Sequence, residues 1–318
     1  MNTTLDRRTV LKAALGGSLI AAAGGAHSQA AADRPWATGT RLVLLGTMAG
    51  PVLHPARAMN SQVIFVNGRG HLVDCGYGTI ARMTEMGMRL SELSQVYVTH
   101  HHSDHTTDYP ALLNLAWIIG IKGRLGIHGP PPMRKMHNAA LAVFEEDSQI
   151  RIKATKREAV AKSFDVKEVR AAGLVYQDDS VKVTAALADH APFEVALAYR
   201  FDTAERSIVI SGDTSPSDRV VTLAGGADVL VHEAMYVPGI DGMLAKRPYV
   251  PPALRNFLLK GHTSAEDAGR VAAHAGVKTL VLSHLLPGDD SIDDRVWIAE
   301  AAKHFGGEIV VGKDKMIL

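Results

Sequence analysis

A run of metal-ligating residues constrains this chain more than any other feature: four histidines and one aspartate fall between His100 and His105. The preceding residues, Gln95–Thr99, alternate apolar and polar side chains like a strand. His100 and His102 are two residues apart at the predicted strand end, so their side chains point the same way. Asp104 and His105 follow where the chain is expected to turn into a helix. Imidazole and carboxylate groups suit zinc and similar ions, so the run predicts a metal site.

Three further residues of the same kinds, His190, Asp213 and His284, each follow a predicted apolar strand. Solvent-facing clefts are commonly lined by residues at strand ends, where loops present functional side chains. A single histidine there is usually a hydrogen-bonded surface group, but the three together with the run favour one shared site. Two clusters of donors this close would hold two ions roughly 3.5–4 Å apart, with a hydroxide between them.

Cysteine content and charge narrow the choice of ligands and partners. The only cysteine among 318 residues is Cys75, which excludes an internal disulfide and a thiolate-rich zinc site. Any metal must therefore be bound by carboxylates and by some of the 15 histidines. The formal net charge is +1 and falls to −1 without residues 1–30, which carry three basic groups and one acid. Nucleic-acid-binding surfaces need a clear basic excess, so nucleic acid is not expected as a partner.

The first 30 residues have the pattern of an export signal. Arg7, Arg8 and Lys12 precede an apolar stretch over 13–25, and small residues follow at 26–32. This order is typical of a secretory signal peptide. The stretch is too short and too glycine-rich to span a membrane, so no stable membrane anchor is expected. The arginine pair resembles a twin-arginine signal, which implies export of a folded protein to the periplasm.

Apolar patterning after residue 40 alternates between strand-like and helix-like segments. Strands are predicted at 41–45, 62–66, 71–74, 95–99, 125–128, 180–184, 195–201, 207–210, 228–231 and 278–283. Helices are predicted at 78–88, 108–119, 133–165, 264–275 and 297–305, with Thr263 or Ser264 as the cap of the fourth. The pattern indicates two β-rich halves with helices outside. We therefore expect an α/β fold, a four-layer αβ/βα sandwich whose two sets of strand ends meet at one edge.

The motif His100-x-His102-x-Asp104-His105, with His190, Asp213 and His284, resembles the signature of the metallo-β-lactamase superfamily. The similarity is greatest to its tRNase Z and arylsulfatase-like branch. Two segments outside the general superfamily pattern carry this finer resemblance, Val231–Ala234 and Gly261–Ser264. The resemblance extends from Leu44 almost to the C-terminus. It implies that residues 31–318 form one hydrolase domain with the metallo-β-lactamase sandwich, and it allows a homodimer.

The resemblance also implies a division of the metal ligands. His100, His102 and His190 would bind one divalent ion, Asp104, His105 and His284 would bind the second, and Asp213 would bridge them. Asp74 would orient the first loop through hydrogen bonds. His101 occupies a position of the motif where any residue is accepted, and its side chain is expected to point away from the metals. Zinc is the default ion for this ligand set, although manganese and iron also accept histidine and carboxylate ligands.

The same resemblance implies the catalytic groups. A metal-bridged hydroxide would be the nucleophile, and Asp104 can also hold its proton. A poor leaving group needs a proton donor. His262 matches the donor of this branch, and Glu233 would fix its tautomer and raise its pKa. The alternative is that His262 only caps the following helix and that Glu233 is a surface charge.

The expected substrate follows from export and charge. Processing of tRNA is disfavoured by the export signal, the net charge and the lack of a glycine-rich basic arm. Residues 236–260 are apolar and rich in proline, and could form a lid over the metals or pack against residues 133–150. We therefore expect a small-molecule ester, an aryl sulfate or a phosphodiester. The alternatives are a lactone, another carboxylic ester or a β-lactam, or a metal-binding protein without catalysis.

Overall fold

The computed structural model describes residues 34–247 and 249–318, so the predicted signal peptide, residues 1–30, lies outside the described residues. From residue 34 onward, the first half has six strands and four helices. The strands are β1 (Thr40–Gly46), β2 (Ser61–Val66), β3 (Arg69–Val73), β4 (Leu93–Tyr97), β5 (Leu125–Gly129) and β6 (Phe164–Glu168). The helices are α1 (Thr79–Glu85), α2 (Tyr109–Ile119), α3 (Met133–Val143) and α4 (Glu145–Thr155).

The second half, in the described ranges, has eight strands and five helices. The strands are β7 (Gly173–Gln177), β8 (Val181–Ala188), β9 (Ala196–Thr203), β10 (Ser207–Ile210), β11 (Val229–Met235), β12 (Thr279–Leu286), β13 (Glu308–Val311) and β14 (Met316–Ile317). The helices are α5 (Asp218–Ala224), α6 (Val237–Ala245), α7 (Ala253–Gly261), α8 (Ala265–Ala275) and α9 (Asp294–Ala301). No helix within the described ranges is long and apolar enough to cross a membrane.

The strands form two seven-stranded sheets, one for each half except that β14 returns to the first. Their orders are β14-β1-β2-β3-β4-β5-β6 and β13-β12-β11-β10-β9-β8-β7. Neighbouring strands from β3 to β6 are parallel, and so are those from β10 to β13. Ligands of open parallel sheets bind beyond the carboxyl ends of the strands. Both halves therefore offer the same kind of edge for a site.

Three apolar cores separate the four layers, and β1 shows how the sequence builds them. Leu42 and Leu44 pack between the two sheets, whereas Val43 and Leu45 pack under the helices of the first half. Alternate residues of a strand point to opposite faces, so a continuous apolar run is buried on both sides. A third core lies between the second sheet and its helices. The predicted α/β four-layer sandwich is confirmed.

Several predicted bounds differ from the structure; the closing helix predicted at 297–305, for example, is Asp294–Ala301. The helix predicted over 133–165 is two helices that end at Thr155, and the chain then forms the edge strand β6. The sequence of β6 is Phe-Asp-Val-Lys-Glu, and its burial alternates as expected for a half-exposed strand. Because the residues before it are charged and helix-like, the sequence predicts a helix there instead of this two-residue period. The expected lid over 236–260 consists of α6 and α7 in its described part.

Buried histidines make the stability of the fold depend on pH, and His71 and His128 are two of them. Burial lowers the pKa of His71 and of His128 from 6.5 to about 4. The His128 ring lies 2.8 Å from Gln95 Oε1, and His71 Nδ1 lies 3.3 Å from the Tyr97 hydroxyl. The unfolded chain therefore binds protons between pH 6.5 and 4 that the folded chain does not bind. The stability that depends on these two neutral histidines is complete above pH 6.5 and falls as the pH approaches 4.

We expect each of these two histidines to remove about 3 kcal/mol from the free energy of unfolding between pH 7 and pH 4. Urea unfolding of metal-free protein at a series of pH values measures this dependence. His71→Gln should flatten the pH profile, even if it lowers stability at every pH. His274→Gln, at an exposed position, is the matched control and should keep the wild-type profile. An unchanged profile in His71→Gln would show that this histidine does not carry the effect.

Candidate metal centre

The residues predicted as metal ligands come together at the edge where the strand ends of both sheets meet. His100 and His102 follow β4, and His190 follows β8. Asp213 follows β10, and His284 lies within β12. Asp104 and His105 lie in a single 3-10 turn directly after His102. The run of the first half and the three separate residues of the second half thus face one another across the sandwich.

One group of donors consists of His100, His102 and His190, with Asp213 beside them. His102 Nδ1 lies 2.9 Å from His100 Nε2 and 3.2 Å from His190 Nε2. Two nitrogens bound to one tetrahedral zinc at roughly 2.0–2.1 Å lie about 3.3 Å apart. The spacing of these three imidazoles therefore fits a single metal ion.

A second group consists of Asp104, His105 and His284. His284 Nε2 lies 3.2 Å from Asp104 Oδ2 and 3.3 Å from His105 Nε2. Asp213 reaches both groups, because its Oδ2 is 3.3 Å from His284 Nε2 and 3.7 Å from His100 Nε2. Its Oδ1 is buried and makes no well-formed hydrogen bond among the described residues, since the His105 Nε2 that faces it is 3.4 Å away. A buried carboxylate oxygen that is poorly satisfied is costly, and a cation would satisfy it.

The charges of the site match a cation as well. Burial lowers the pKa of His100 well below its ordinary value, so this imidazole is neutral, as a metal ligand must be. Burial alone would lower the pKa of His105, but the carboxylates of Asp213, Asp74 and Asp104 raise it well above its ordinary value. The surplus negative charge around His105 holds a proton that a bound cation would replace. The donor set therefore fits divalent metal ions.

Asp74 orients the proposed ligand His105 and the loop before it through hydrogen bonds. Its Oδ1 accepts a hydrogen bond from the Thr99 amide at 2.8 Å, and its Oδ2 accepts one from the Asn60 side chain at 3.0 Å. The same carboxylate lies 2.7 Å from His105 Nδ1, which leaves Nε2 of that ring facing the second group. Asp74 and His284 have φ values of 58° and 44°. Such non-glycine conformations cost of order 1–3 kcal/mol and cluster at functional sites.

Sequence reasoning missed two supporting contacts. The Gly50 amide donates a hydrogen bond to Asp104 Oδ2 at 2.8 Å. A Cβ atom at residue 50 would lie 2.1 Å from the Asp104 Cβ, so only glycine allows this approach. The other contact is the hydrogen bond that the Asn60 side chain donates to Asp74. The Gly-Pro pair at 50–51 was a signal for a tight loop, but nothing in the sequence says which carboxylate that loop meets.

The structure orients two other histidines. His101 Nε2 lies 2.8 Å from the Pro130 carbonyl oxygen, so this ring points away from the site as expected. His190 Nδ1 lies 2.8 Å from the Gly261 carbonyl oxygen, which leaves its Nε2 for the first group. Hydrogen bonds of this kind fix the tautomer of a ligating imidazole.

Glu233 and His262 form a buried pair beside the donor groups. His262 Nδ1 lies 2.9 Å from Glu233 Oε2, and Glu233 Oε1 accepts a hydrogen bond from the Thr214 amide at 2.6 Å. The pair is close to Asp213, whose Oδ2 is 3.9 Å from His262 Nδ1. Burial opposes protonation of His262, but the Glu233 carboxylate raises its pKa to about 9. In the metal-free chain His262 therefore carries a proton at neutral pH.

The alternative roles considered for this pair do not fit the structure. The cap of α8 is Ser264, whose side chain accepts a hydrogen bond from the Asp267 amide at 3.0 Å. His262 lies outside that cap. Glu233 is 2% exposed and is not a surface charge. The backbone of His262 ends helix α7, whereas its side chain caps neither α7 nor α8 and is buried with Glu233 beside the donor groups.

Comparison with known proteins identifies the family. Residues 69–285 match the model of the beta-lactamase superfamily domain. The chain belongs to the metallo-β-lactamase superfamily. Ribonuclease Z of Mycobacterium bovis is 32% identical over 276 residues, which cover 86% of this chain and 95% of that enzyme. Ribonuclease Z of Mycobacterium sp. strain KMS is 34% identical over 275 residues, covering 86% and 93%.

Solved structures share the fold. The metallo-beta-lactamase fold protein YhfI from Bacillus subtilis superposes with a TM-score of 0.64 at 20% identity, covering 88% of this chain and 99% of that one. The short form of human tRNase Z superposes with a TM-score of 0.61 at 21% identity, covering 87% and 98%. The superfamily and the tRNase Z branch predicted from the sequence are confirmed. The protein is a metal-dependent hydrolase.

The ribonuclease Z relatives overturn two predictions. The expected substrate, an aryl sulfate or other small-molecule ester, is wrong, and so is the expectation that nucleic acid is not a partner. Both predictions relied on a net charge of −1 for residues 31–318, and the substrate prediction also relied on the export signal and on the lack of a glycine-rich basic arm. Net charge adds up the whole surface and omits the ions that a metal site would bring. An ion bound in a site can be its largest local charge, so net charge is a poor guide to an anionic substrate.

Proposed function

We propose that the protein is a ribonuclease Z-like phosphodiesterase that hydrolyses RNA at a two-metal centre. The observation that carries this proposal is the buried Glu233–His262 pair beside Asp213. Hydrolysis of RNA expels a sugar hydroxyl, a poor leaving group that needs a proton. Sequence identity of 32–34% to ribonuclease Z over most of the chain supports this substrate.

We assign His100, His102 and His190 to one ion and Asp104, His105 and His284 to the other, with Asp213 between them. Two divalent ions would bring four positive charges, and histidine with carboxylate favours zinc. When bound, the ions lower the pKa of water and offset negative charge on the phosphoryl oxygens.

Two side chains would then transfer the protons of the reaction, His262 as donor and Asp104 as acceptor. His262 donates Nδ1–H to Glu233, so its Nε2 is the nitrogen available to the substrate. When water attacks phosphorus and the P–O bond to the sugar breaks, the sugar oxygen takes the Nε2 proton. Asp104 is held by the Gly50 amide and can take the proton of the attacking water.

The direct test is cleavage of a 3′-extended tRNA precursor by protein reconstituted with zinc or manganese. We expect RNA cleavage that stops on chelation and returns with metal. p-Nitrophenyl sulfate is the control substrate and should not be turned over. Protein that holds two ions but cleaves neither the precursor nor an unstructured RNA would contradict the proposed function.

We also propose that residues 1–30 direct export to the periplasm and that residues 31–318 are the mature enzyme. The support is the order of Arg7-Arg8, apolar stretch and small residues. Changing both arginines to lysine keeps the charge and should leave an unprocessed chain in the cytoplasm. Cell fractionation with immunodetection measures this outcome. Export that persists unchanged in the double variant would rule out the twin-arginine route.

A further inference from the structure

Two phenylalanine rings border His102, the only one of the seven proposed ligands that is not fully buried. The ring centre of Phe193 lies 4.7 Å from that of His102, at an interplanar angle of 79°. The ring centre of Phe257 lies 6.4 Å from it, at 64°. Both rings therefore lie on the side of the site that is open to solvent.

Phe193 is held in place by the turn that follows β8. Its amide donates a hydrogen bond to the His190 carbonyl oxygen at 3.0 Å. Its ring is nearly parallel to the His190 ring, at 16° and 5.8 Å, and meets His100 edge-on at 5.2 Å. Packing on three imidazoles fixes this ring, which remains partly exposed at the surface.

Phe257 has a different position, because it is 40% exposed on α7 while the next residue, Leu258, packs inward. Helix α7 ends at Gly261, whose carbonyl oxygen is bonded to His190, and His262 follows directly. A flat group lying on Phe257 would therefore be close to His102, on the helix that leads directly to the proposed proton donor. Phe193 and Phe257 are two of only seven phenylalanines in the chain.

We propose that Phe193 and Phe257 form a stacking subsite for a nucleobase next to the scissile phosphodiester. This inference rests on the proposed function and specifies how its substrate is held. Aromatic side chains stack with any base, because every base has a π face. Such a subsite would position the RNA strand at the metal centre without reading its sequence. It also supplies affinity that does not depend on a basic surface.

The test compares two phosphodiesters with the same leaving group. The p-nitrophenyl ester of uridine 5′-monophosphate carries a base, and methyl p-nitrophenyl phosphate does not. We expect Phe257→Ala to raise KM for the uridine ester roughly tenfold with little change in kcat, as loss of one stacked base predicts. KM for the methyl ester should stay at the wild-type value. Phe257→Trp should restore the uridine KM, and Phe257→Leu should not.

Controls separate stacking from packing. Ile150→Ala, at an exposed apolar position on α4, should leave both KM values unchanged. Metal content is measured for every variant, and Phe193→Leu, which keeps apolar bulk, should lose base discrimination while retaining its ions. Equal KM changes for both esters, or no change for either, would overturn the subsite. If the wild-type enzyme holds metal but hydrolyses neither ester and cleaves neither the tRNA precursor nor the unstructured RNA, the proposed function fails. In that case calorimetry still tests the subsite. The affinity for uridine 5′-monophosphate, but not that for inorganic phosphate, should be weaker in Phe257→Ala than in the wild type.

Discussion

Replacing His262 by alanine should slow cleavage of RNA by roughly 10²–10⁴-fold, the usual contribution of a positioned general acid. The reason is the proton that Glu233 keeps on this imidazole at neutral pH, with a pKa of about 9. A sugar hydroxyl needs that proton to leave. p-Nitrophenolate does not, so the variant should hydrolyse bis-p-nitrophenyl phosphate at close to the wild-type rate. Single-turnover kinetics on both substrates measure the difference.

Two variants control for indirect effects of this substitution. Glu233→Gln keeps the hydrogen-bonding shape but removes the charge that protonates His262, so it should lose part of the same RNA-specific activity. Metal content must stay at the wild-type level in both variants, because His262 is not among the proposed ligands. An equal loss on the activated and the natural substrate would show that His262 acts on the metal site rather than on the leaving group.

The sequence predicted the candidate ligands because their signal is local. His100 and His102 are separated by the period of a strand, and His190 and Asp213 follow apolar runs whose pattern predicts strands. A strand end places its residues at a sheet edge whatever the rest of the fold does. The Val231–Ala234 and Gly261–Ser264 segments then located Glu233 and His262, although 29 residues separate these two.

Long-range contacts were not predictable in this way. The Gly50 amide meets Asp104 across 54 residues, and Asn60 meets Asp74 between two strands. The first contact depends on how a loop packs after the sheets have formed, and the second on the register of β2 against β3, in which Gln62 pairs with Val73. Neither residue has a periodic pattern. The substrate was misjudged for a related reason. Net charge is a sum over the chain, whereas an RNA strand responds to the field at one edge of the sandwich.

Replacing Asp213 by asparagine should reduce the bound metal from two ions per chain to one or none. Among the seven proposed ligands only Asp213 and Asp104 carry negative charge, so the variant loses half of the charge that faces the two ions. The ions contribute several kcal/mol to stabilising the transition state, so kcat should fall by at least about 10³-fold. Metal analysis after dialysis and chelator competition measure the stoichiometry and the affinity.

Asp74→Asn is the matched control. It makes the same chemical change at a residue that contacts the proposed ligand His105 but is not itself a proposed ligand. Asp74 contacts His105 Nδ1 and positions that ring, but it lies behind both donor groups. Loss of such a support lowers metal affinity by roughly 10–100-fold, and saturating metal should restore two ions and most of the activity. Asp213→Asn should not recover at any metal concentration. If excess metal rescued both variants equally, Asp213 would be a supporting residue like Asp74, and the two ions would lack the carboxylate that joins their sites.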